Sequence, residues 1–326
     1  RLLEFNKTEQ GFDRNQTKPL KADMLILDEV SMVDIVLFHH CIKALPPHAR
    51  LILVGDADQL PSVGPGSVLT DIIDSQRVKT VHLARIFRQA RQSLIVINAH
   101  RVNHGQMPYS KTDFGRADYE FFKHEEPEEA LTAITHLATI ELPRRLHLDP
   151  VLDIQVLAPM HKGTLGVFNL NLTLQSLLNP GKEGIFRGGH KLCVGDKVMQ
   201  IRNNYDLGVF NGDMGRIASI EDDGKLVEVD FDGRLVPFEA GDLDELTLAY
   251  ACSIHKAQGN EYPAVIIALS TQHFIMLQRN LLYTAITRGR RFVAVVGSSR
   301  ALALAVHNVN KAQRYSLLRH RLAGVL

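Results

Sequence analysis

Two adjacent carboxylates follow an apolar run near the start of the sequence. The run Met24–Leu27 has the composition of a buried parallel strand, and Asp28 and Glu29 come immediately after it. Such a strand delivers both side chains to the carboxyl edge of its sheet. There an Asp can hold Mg²⁺, directly or through water, and a Glu can polarise an attacking water. The pair therefore predicts phosphate-bond hydrolysis beside a metal ion.

A carboxylate pair of this kind normally works with a phosphate-binding loop, G-x-x-x-x-G-K-[ST], on an earlier strand. The 326 residues contain no such loop, since the nearest candidate, Asn179–Glu183, lacks the first Gly and the hydroxyl. The sequence therefore resembles an ATPase whose first strand and phosphate loop have been cut away, and Arg1 is not an initiator residue. Because nothing in it cradles the β-phosphate, we expect this 326-residue piece alone to have negligible ATPase activity.

Other polar residues could complete such a site, although each one alone has an ordinary structural explanation. Gln59 follows the next apolar strand, where it could sense a γ-phosphate, hold the attacking water, or simply form a turn. His255 lies in a polar stretch before a later strand, and a single His there is more often a satisfied core residue. Arg288 stands at a helix end, where a cation also complements the helix dipole. Taken singly, these residues decide nothing.

The elements that must position these residues form two α/β regions. In the first, the strand at 24–27 precedes a helix at about 32–45, stopped by Pro46 and Pro47, and a buried strand at 51–54. The second region is predicted to contain helices at 93–104, 127–142, 165–178 and 276–287 and strands at 154–158, 264–269 and 292–296. Alternation of this kind indicates parallel sheets.

A segment with a different sequence pattern interrupts the second α/β region. Between residues 195 and 246, short β-type runs are separated by Asn-Gly and Asp-Gly pairs, which are strong hairpin signals. We expect a small antiparallel barrel inserted into the second α/β region. A short hairpin or loop is expected at about 5–22, ahead of the first strand.

Composition excludes several classes of protein. No stretch is long and apolar enough to span a bilayer, so we expect no membrane partner. The cysteines, Cys41, Cys193 and Cys252, are too scattered for a disulfide framework or a zinc site, and buried thiols in a reducing cytoplasm are expected. No Asp or Glu follows Glu261, whereas several Arg do. Such basic segments suit a polyanion partner, and solvated helix faces explain them equally well.

Taken together, the order and spacing of the motifs resemble superfamily 1 helicases, and in detail the RecD/TraA branch of 5′→3′ translocases. In chain order the matching stretches are LILDEVSMVD, LVGDADQLPSVGPG, IFRQA, VLAPMHKGTLGVFNLN, FNGDMGRI, AYACSIHKAQGNEYPAVI and LLYTAITRGR. The resemblance covers essentially the whole chain, and so many ordered motifs do not arise by chance. The sequence departs from the family by lacking the Walker A loop and the motif that follows it.

The resemblance implies an α/β fold of two RecA-like parallel-sheet domains, the first truncated at its N-terminus, with an inserted small SH3-like β-barrel. The first domain would cover 1–85, including the hairpin at about 5–22, which would act as a strand-separating pin. The second domain would cover 86–189 and 248–326, and the barrel would cover 190–247.

The resemblance also implies a role for each matching residue in an ATP site. Asp28 would hold Mg²⁺, Glu29 would activate the hydrolytic water, and Gln59 would couple the γ-phosphate to the DNA track. Arg88 and Arg288 would reach from the second domain as arginine fingers. The remaining nucleotide contacts would come from Gln258, Gly259 and Glu261.

DNA contacts would come from two further groups of residues in the same resemblance. One group comprises Pro61, Ser62 and Val63, and the other comprises Ser253 and His255. Aromatic residues are few and Trp is absent, so gripping of the backbone without sequence readout is expected.

The implied function is the motor portion of an ATP-dependent 5′→3′ DNA helicase. Its partners would be single-stranded DNA, duplex ends or forks, and the subunits of a recombination or repair complex. The alternative is a single-strand DNA-binding subunit or fragment that does not hydrolyse ATP. A phosphate-binding loop encoded upstream of Arg1 would favour the helicase.

Overall fold

The computed structural model describes residues 2–6, 11–83, 93–109, 118–181, 184–187, 189–221, 224–309 and 314–325. The strands are β1 (Phe5–Asn6), β2 (Gly11–Phe12), β3 (Met24–Leu27), β4 (Arg50–Leu53), β5 (Tyr119–Lys123), β6 (Ile154–Ala158), β7 (Gly184–Arg187), β8 (His190–Cys193), β9 (Lys197–Gln200), β10 (Met214–Glu221), β11 (Leu226–Phe231), β12 (Arg234–Glu239), β13 (Leu246–Leu248), β14 (Ala251–Ser253), β15 (Tyr262–Leu269) and β16 (Gly289–Gly297). The α-helices are α1 (Ile35–Ala44), α2 (Val68–Ser75), α3 (Leu94–Asn103), α4 (Pro127–His136), α5 (Leu142–Leu146), α6 (Val167–Leu178), α7 (Arg279–Ile286), α8 (Ser299–His307) and α9 (Leu318–Ala323).

Contacts within the chain divide it into two compact units. The first unit comprises residues 1–86 and 310–326, and the second comprises residues 87–309. The division at residue 86 lies beside the boundary expected from the sequence. The last residues differ, because the sequence assigned them to the second domain and they pack in the first unit. No helix among the described residues has the length and apolar character needed to cross a bilayer.

The first unit is built on two parallel strands. β3 pairs with β4 in parallel, as predicted, with Leu25 opposite Leu51. The following helix begins later than predicted because the Asp34 side chain accepts a hydrogen bond of 2.8 Å from the backbone N of Leu37 and caps α1. Upstream, β1 and β2 form the antiparallel pair expected of a hairpin, whose connecting residues 7–10 lie outside the described part.

Burial of these two strands is one-sided, which corrects the prediction that both are fully buried. Leu25 is buried, whereas Ile26 is 58% exposed and Ile52 is 42% exposed. Successive side chains of a strand point to opposite faces, so one face of the pair packs on helices and the other is open. The prediction followed the rule that parallel sheets are covered on both faces, and the described residues supply a cover for only one.

Two apolar clusters support the covered face. One contains Leu25 of β3 together with Cys41 and Ala44 of α1. The other joins α2 to α9, and its members are Val30, Val68, Leu69 and Ile72, with the partly buried residues Leu27, Val33, Ile35, Phe38, Leu53, Ala57, Ile73, Leu318 and Leu322 packed against them. Neither α2 nor α9 was predicted from the sequence.

The second unit has a five-stranded parallel sheet in the order β14-β6-β15-β16-β5. Its central strands are buried on both faces, and Ile266 of β15 has no exposed surface. The predicted strands at 154–158, 264–269 and 292–296 are confirmed, whereas the edge strands β5 and β14 were not predicted. These edge strands are short or polar in sequence, so their apolar pattern is weak.

The inserted segment forms a five-stranded antiparallel sheet in the order β12-β11-β10-β9-β13. β11 and β12 are joined by the two-residue loop Asp232-Gly233, and both residues have positive φ angles of 51° and 86°. These angles are those of the hairpin turn that Asp-Gly predicts. Pairing of β12 with β13, which would close a barrel, is not among the pairings of the described residues. A separate hairpin, β7–β8, precedes this sheet and was not predicted.

A buried carboxylate ties the inserted sheet to its surroundings. Asp196, which has no exposed surface, accepts hydrogen bonds from Asn179 Nδ2 at 2.6 Å and from the Tyr250 hydroxyl at 2.9 Å. It also accepts from the backbone N of Cys193 at 2.8 Å and from Gln175 Nε2. A buried charge is tolerated only when its oxygens are satisfied, and four donors achieve that here.

Candidate functional site

The predicted carboxylates lie directly beyond the end of β3. Asp28 is exposed, and its Oδ1 accepts a hydrogen bond of 2.8 Å from the backbone N of Glu29. Glu29 is partly exposed and has a left-handed backbone with φ of 52° and ψ of 40°. A non-glycine residue in this conformation stores strain of order 1 kcal/mol, which the surrounding structure must overcome. The strained turn redirects the chain at the sheet edge, between the two carboxylates and the buried Val30.

The end of β4 lies against this turn. The backbone N of Val30 donates to Val54 O at 3.0 Å, so the two strand ends are tied together. A side chain at Gly55 would place its Cβ 3.1 Å from that same nitrogen and 2.9 Å from Leu69 Cδ2. The close approach explains the glycine, and it brings the loop after β4 to the edge that carries Asp28.

Gln59 lies in this loop as predicted. Its Nε2 donates to Asp56 Oδ2 at 3.2 Å, and the other oxygen of Asp56 accepts from the backbone N of Asp58 at 3.0 Å. The Asp56 carboxylate therefore organises the loop and fixes the Gln59 amide. Asp28 and Glu29 follow β3 and Gln59 lies in the loop after β4, so the three residues belong to one unit and to one edge of its sheet.

The three residues predicted to contact DNA after Gln59 differ in exposure. Val63 is 89% exposed, whereas Ser62 is only 4% exposed. The Ser62 hydroxyl donates to Gly64 O at 3.2 Å, so it serves the internal structure of the loop. Pro61 is partly exposed. Within this trio, Val63 is the residue that solvent reaches most fully.

The second group of predicted site residues follows β14 in the second unit. Ser253 ends the strand and is 6% exposed, and its Oγ accepts from the backbone N of Lys256 at 3.3 Å. The turn that follows buries Gln258 and exposes Gly259, whose φ of 78° favours glycine. His255 is partly buried; burial, together with the neighbouring His161, lowers the pKa of its imidazole.

Arg288 lies at the end of α7, as predicted, but its guanidinium is buried. It is 4% exposed and donates at 3.2 Å to the carbonyl oxygens of Thr284 and Asn260. Glu261, expected among the nucleotide contacts, forms an ion pair with Arg290 in which Arg290 Nε lies 2.6 Å from Glu261 Oε2. Arg88, the other predicted arginine finger, lies outside the described residues.

A cavity of about 510 Å³ opens beside Ser253. Its lining is mainly apolar and includes residues of the inserted sheet, whereas exposed His161 and Lys162 lie at its rim. Phe168 is 48% exposed there, and its ring centroid lies 5.2 Å from that of His190. His161, Lys162 and Phe168 were not predicted as site residues, although the polar pair His161-Lys162 shortly after a strand was an available signal.

The described residues contain no group of three or more His, Cys, Asp or Glu that could hold a metal ion together. The cysteines Cys41, Cys193 and Cys252 are free and buried. Burial raises the pKa of the Cys252 thiol to about 12, which keeps it protonated and unreactive at neutral pH.

Three family profiles match successive parts of the chain. Residues 3–118 match an AAA domain, residues 170–231 match the SH3 domain of ATP-dependent RecD-like DNA helicases, and residues 248–296 match the UvrD-like helicase C-terminal domain. Their order agrees with that of the motifs.

Two curated relatives match over nearly the whole chain. The ATP-dependent RecD2 DNA helicase of Deinococcus radiodurans is 37% identical over 318 residues, which are 98% of this chain and 42% of that protein. The RecBCD enzyme subunit RecD of Mycobacterium tuberculosis is 32% identical over 322 residues, which are 95% of this chain and 55% of that protein. The chain thus spans about half the length of these relatives.

Among solved structures, a Pif1 helicase from Bacteroides in complex with ADP-AlF3 and single-stranded DNA has a similar fold. The TM-score is 0.53 at 20% identity, and the match covers 84% of this chain and 70% of that one. At this level of identity the likeness concerns the fold alone.

Proposed function

Because this chain belongs to the RecD-like helicase family, we propose that it is the motor portion of an ATP-dependent DNA helicase that moves 5′→3′ along single-stranded DNA. One observation supports this proposal above the others. Asp28, Glu29 and Gln59, which the family resemblance assigns to hydrolysis, lie at the common carboxyl edge of two adjacent parallel strands. Ligands of open α/β sheets bind at this edge.

The proposed architecture is that of two RecA-like domains with an inserted SH3-like barrel. The parallel pair β3–β4 represents the first domain, and the parallel sheet of the second unit represents the second. The antiparallel sheet at 197–248 supplies the strands of the barrel. In this proposal ATP would be bound at the edge of β3 and β4, and loops of each unit would contact DNA.

Magnesium fits the donor chemistry at Asp28. An exposed carboxylate at a sheet edge is the hard oxygen ligand that this ion prefers, usually together with water and phosphate oxygens. When bound, the ion neutralises charge on the phosphate oxygens during transfer. Glu29 would orient the attacking water and accept its proton. The Gln59 amide, held by Asp56, would bind the γ-phosphate and so couple its presence to the conformation of the neighbouring loop.

The roles of the arginines depend on how they are held. Arg288 would stabilise charge on the transferred phosphate, and its anchorage to Thr284 and Asn260 would link that role to the Ser253–Glu261 segment. We assign Gln258, Gly259 and Glu261 to the nucleotide side of the same segment. Arg88 has the corresponding role by family resemblance alone.

Pro61, Val63, Ser253 and His255 would contact the sugar-phosphate backbone of the DNA. The cavity beside Ser253 offers an apolar lining with His161 and Lys162 at its rim, which suits a base within and a phosphate outside. Duplex ends or forks and the subunits of a recombination or repair complex are the proposed partners. The name of the mycobacterial relative, a RecBCD subunit, supports the last of these.

The decisive test uses the full-length protein on duplexes with 5′ or 3′ single-stranded overhangs. We expect unwinding from the 5′ overhang only, at the expense of ATP. Glu29→Gln should reduce hydrolysis by at least roughly 100-fold while leaving nucleotide binding intact, because the general base is lost. Glu4→Gln removes the same charge elsewhere in the first unit and serves as the control.

Two outcomes would contradict the proposal. Normal unwinding by the Glu29→Gln variant would show that the hydrolytic assignment is wrong. Single-strand binding without hydrolysis by the full-length protein would favour the alternative, a DNA-binding subunit. For the 326-residue piece alone we propose negligible ATPase activity, and robust DNA-stimulated hydrolysis by it would refute this.

A further inference from the structure

A segment from the far end of the sequence completes the first unit. Residues 314–317 lead into α9, whose Leu318 and Leu322 pack into the cluster formed by α2. Arg319 Nη1 lies 3.9 Å from Asp74 Oδ2, an exposed ion pair on the same tail. Arg77 Nη2 also donates to Ala323 O at 2.9 Å, so apolar contacts and polar ties together hold the tail to the rest of the first unit.

One cation of this tail is directed at the loop after β4. Nη1 of Arg314 lies 2.7 Å from Gly64 O, 2.9 Å from Gly66 O and 3.2 Å from Ser62 Oγ. Hydrogen bonds from a charged donor are shorter and about twice as strong as neutral ones. Alternate residues of the loop turn their oxygens to a single guanidinium, so the loop is wrapped around Arg314.

The opposite side of this loop is also constrained. The backbone N of Ile35 donates to Pro65 O at 2.9 Å. A Cβ at Gly64 would clash with the carboxylate of Asp34, which leaves no room for a side chain there. Glycines give a loop backbone conformational freedom, which contacts with the rest of the protein must restrict. Here those contacts come from the start of α1 and from Arg314.

The geometry points to Arg314 as a positioning residue for DNA binding. By holding Ser62, Gly64 and Gly66, it fixes a loop conformation in which the Ser62 side chain is inside and Val63 is 89% exposed. The residue that organises the DNA-facing loop of the first unit thus comes from beyond the second unit in sequence. This inference rests on the DNA-binding role given to the loop under the proposed function.

The test compares Arg314→Ala, Arg314→Lys and Arg319→Ala in the full-length protein. Arg319→Ala removes the same charge from the same tail without touching the loop. Binding of a fluorescent single-stranded oligonucleotide should weaken roughly tenfold in Arg314→Ala, the effect of losing charged hydrogen bonds, and less in Arg314→Lys. The Arg319→Ala protein should bind within about twofold of wild type. Amide exchange of residues 62–64 and 66–67 should accelerate in Arg314→Ala only.

The two readouts together decide the matter. Weaker binding without faster loop exchange would mean that Arg314 touches DNA itself, and the positioning role would be wrong. Faster exchange with unchanged binding would mean that the loop does not serve DNA. If Arg314→Ala unfolds, the Arg314→Lys variant carries the same comparison. Failure of the wild-type protein to bind single-stranded DNA would instead overturn the proposed function.

Discussion

The two units contain parallel strands of similar composition but cover them to very different extents. Ile26 in β3 of the first unit is 58% exposed, whereas Ile266 in β15 of the second unit has no exposed surface. Both strands read as continuous apolar runs, so composition alone does not reveal how many faces are covered. The proposed hydrolytic edge therefore lies on a pair of strands that the described residues cover on one face, whereas the central strands of the second unit are covered on both.

The largest expected difference concerns the free energy of unfolding. Ile266→Ala should destabilise the second unit by about 3–4 kcal/mol, because the removed atoms are buried among close-packed neighbours. Ile26→Ala should destabilise the first unit by less than about 1 kcal/mol, because its side chain is mostly in water. Chemical denaturation, followed by hydrogen exchange to separate the two units, measures both.

If Ile266→Ala and Ile26→Ala lowered the free energy of unfolding equally, the proposed difference in burial between the two units would be wrong. Such a result would mean that another part of the protein covers the open face of β3 and β4. Repeating the measurement with the full-length protein and with the 326-residue piece would locate that cover.

A smaller effect should come from the carboxylate that ties the inserted sheet into the second unit. Asp196→Asn should destabilise it by about 2–3 kcal/mol, because an amide cannot accept from four donors and leaves buried groups unsatisfied. Thermal unfolding measures the loss, with the exposed Asp244→Asn as the control. A loss no greater than that of Asp244→Asn would show that Asp196 does not hold the insertion in place.

The smallest expected effect is a pH dependence that arises in the second unit. Burial lowers the pKa of His273 to about 4, below the ordinary value of 6.5. As pH falls below 6.5, the unfolded chain takes up a proton that the folded protein does not, so stability is lost. Between pH 6.5 and 5 this loss should be about 1–2 kcal/mol.

The matched variant for this pH effect is His273→Gln. Its amide oxygen can still accept from the backbone N of Ser270, which in the wild type lies 3.3 Å from Nδ1 of His273. The variant should lose less stability than wild type over the same pH interval in denaturant titrations. Parallel curves for the two proteins would remove His273 as the source.

Much of the fold was accessible from the sequence, for identifiable reasons. β15 is an eight-residue run that is almost entirely apolar, and the Asp232-Gly233 turn demands positive φ angles, so local signals were strong. The edge strand β14 has only three residues, and α9 follows a stretch with no distinctive pattern. Such elements are specified by their neighbours in space, which a single sequence does not display.

The candidate site likewise has features that the sequence predicted and features that it did not. The sequence placed Asp28, Glu29 and Gln59 at one sheet edge, because adjacent parallel strands end together. It could not foresee that Ser62 points inward, nor that the Arg288 guanidinium is buried against Asn260. Both depend on hydrogen bonds that form only after the chain has folded. The tie from Arg314 to Gly64 joins residues 250 positions apart, beyond any local pattern.

The return of the tail to the first unit has a consequence for biosynthesis. Domains generally fold as they leave the ribosome, with N-terminal ones first. Here α9 completes the apolar cluster around α2, yet it is made after the whole second unit. The first unit would thus be translated first and finished last. A nascent chain lacking residues 314–325 would expose Val68, Leu69 and Ile72 to chaperones, even though those residues were made some 240 positions earlier.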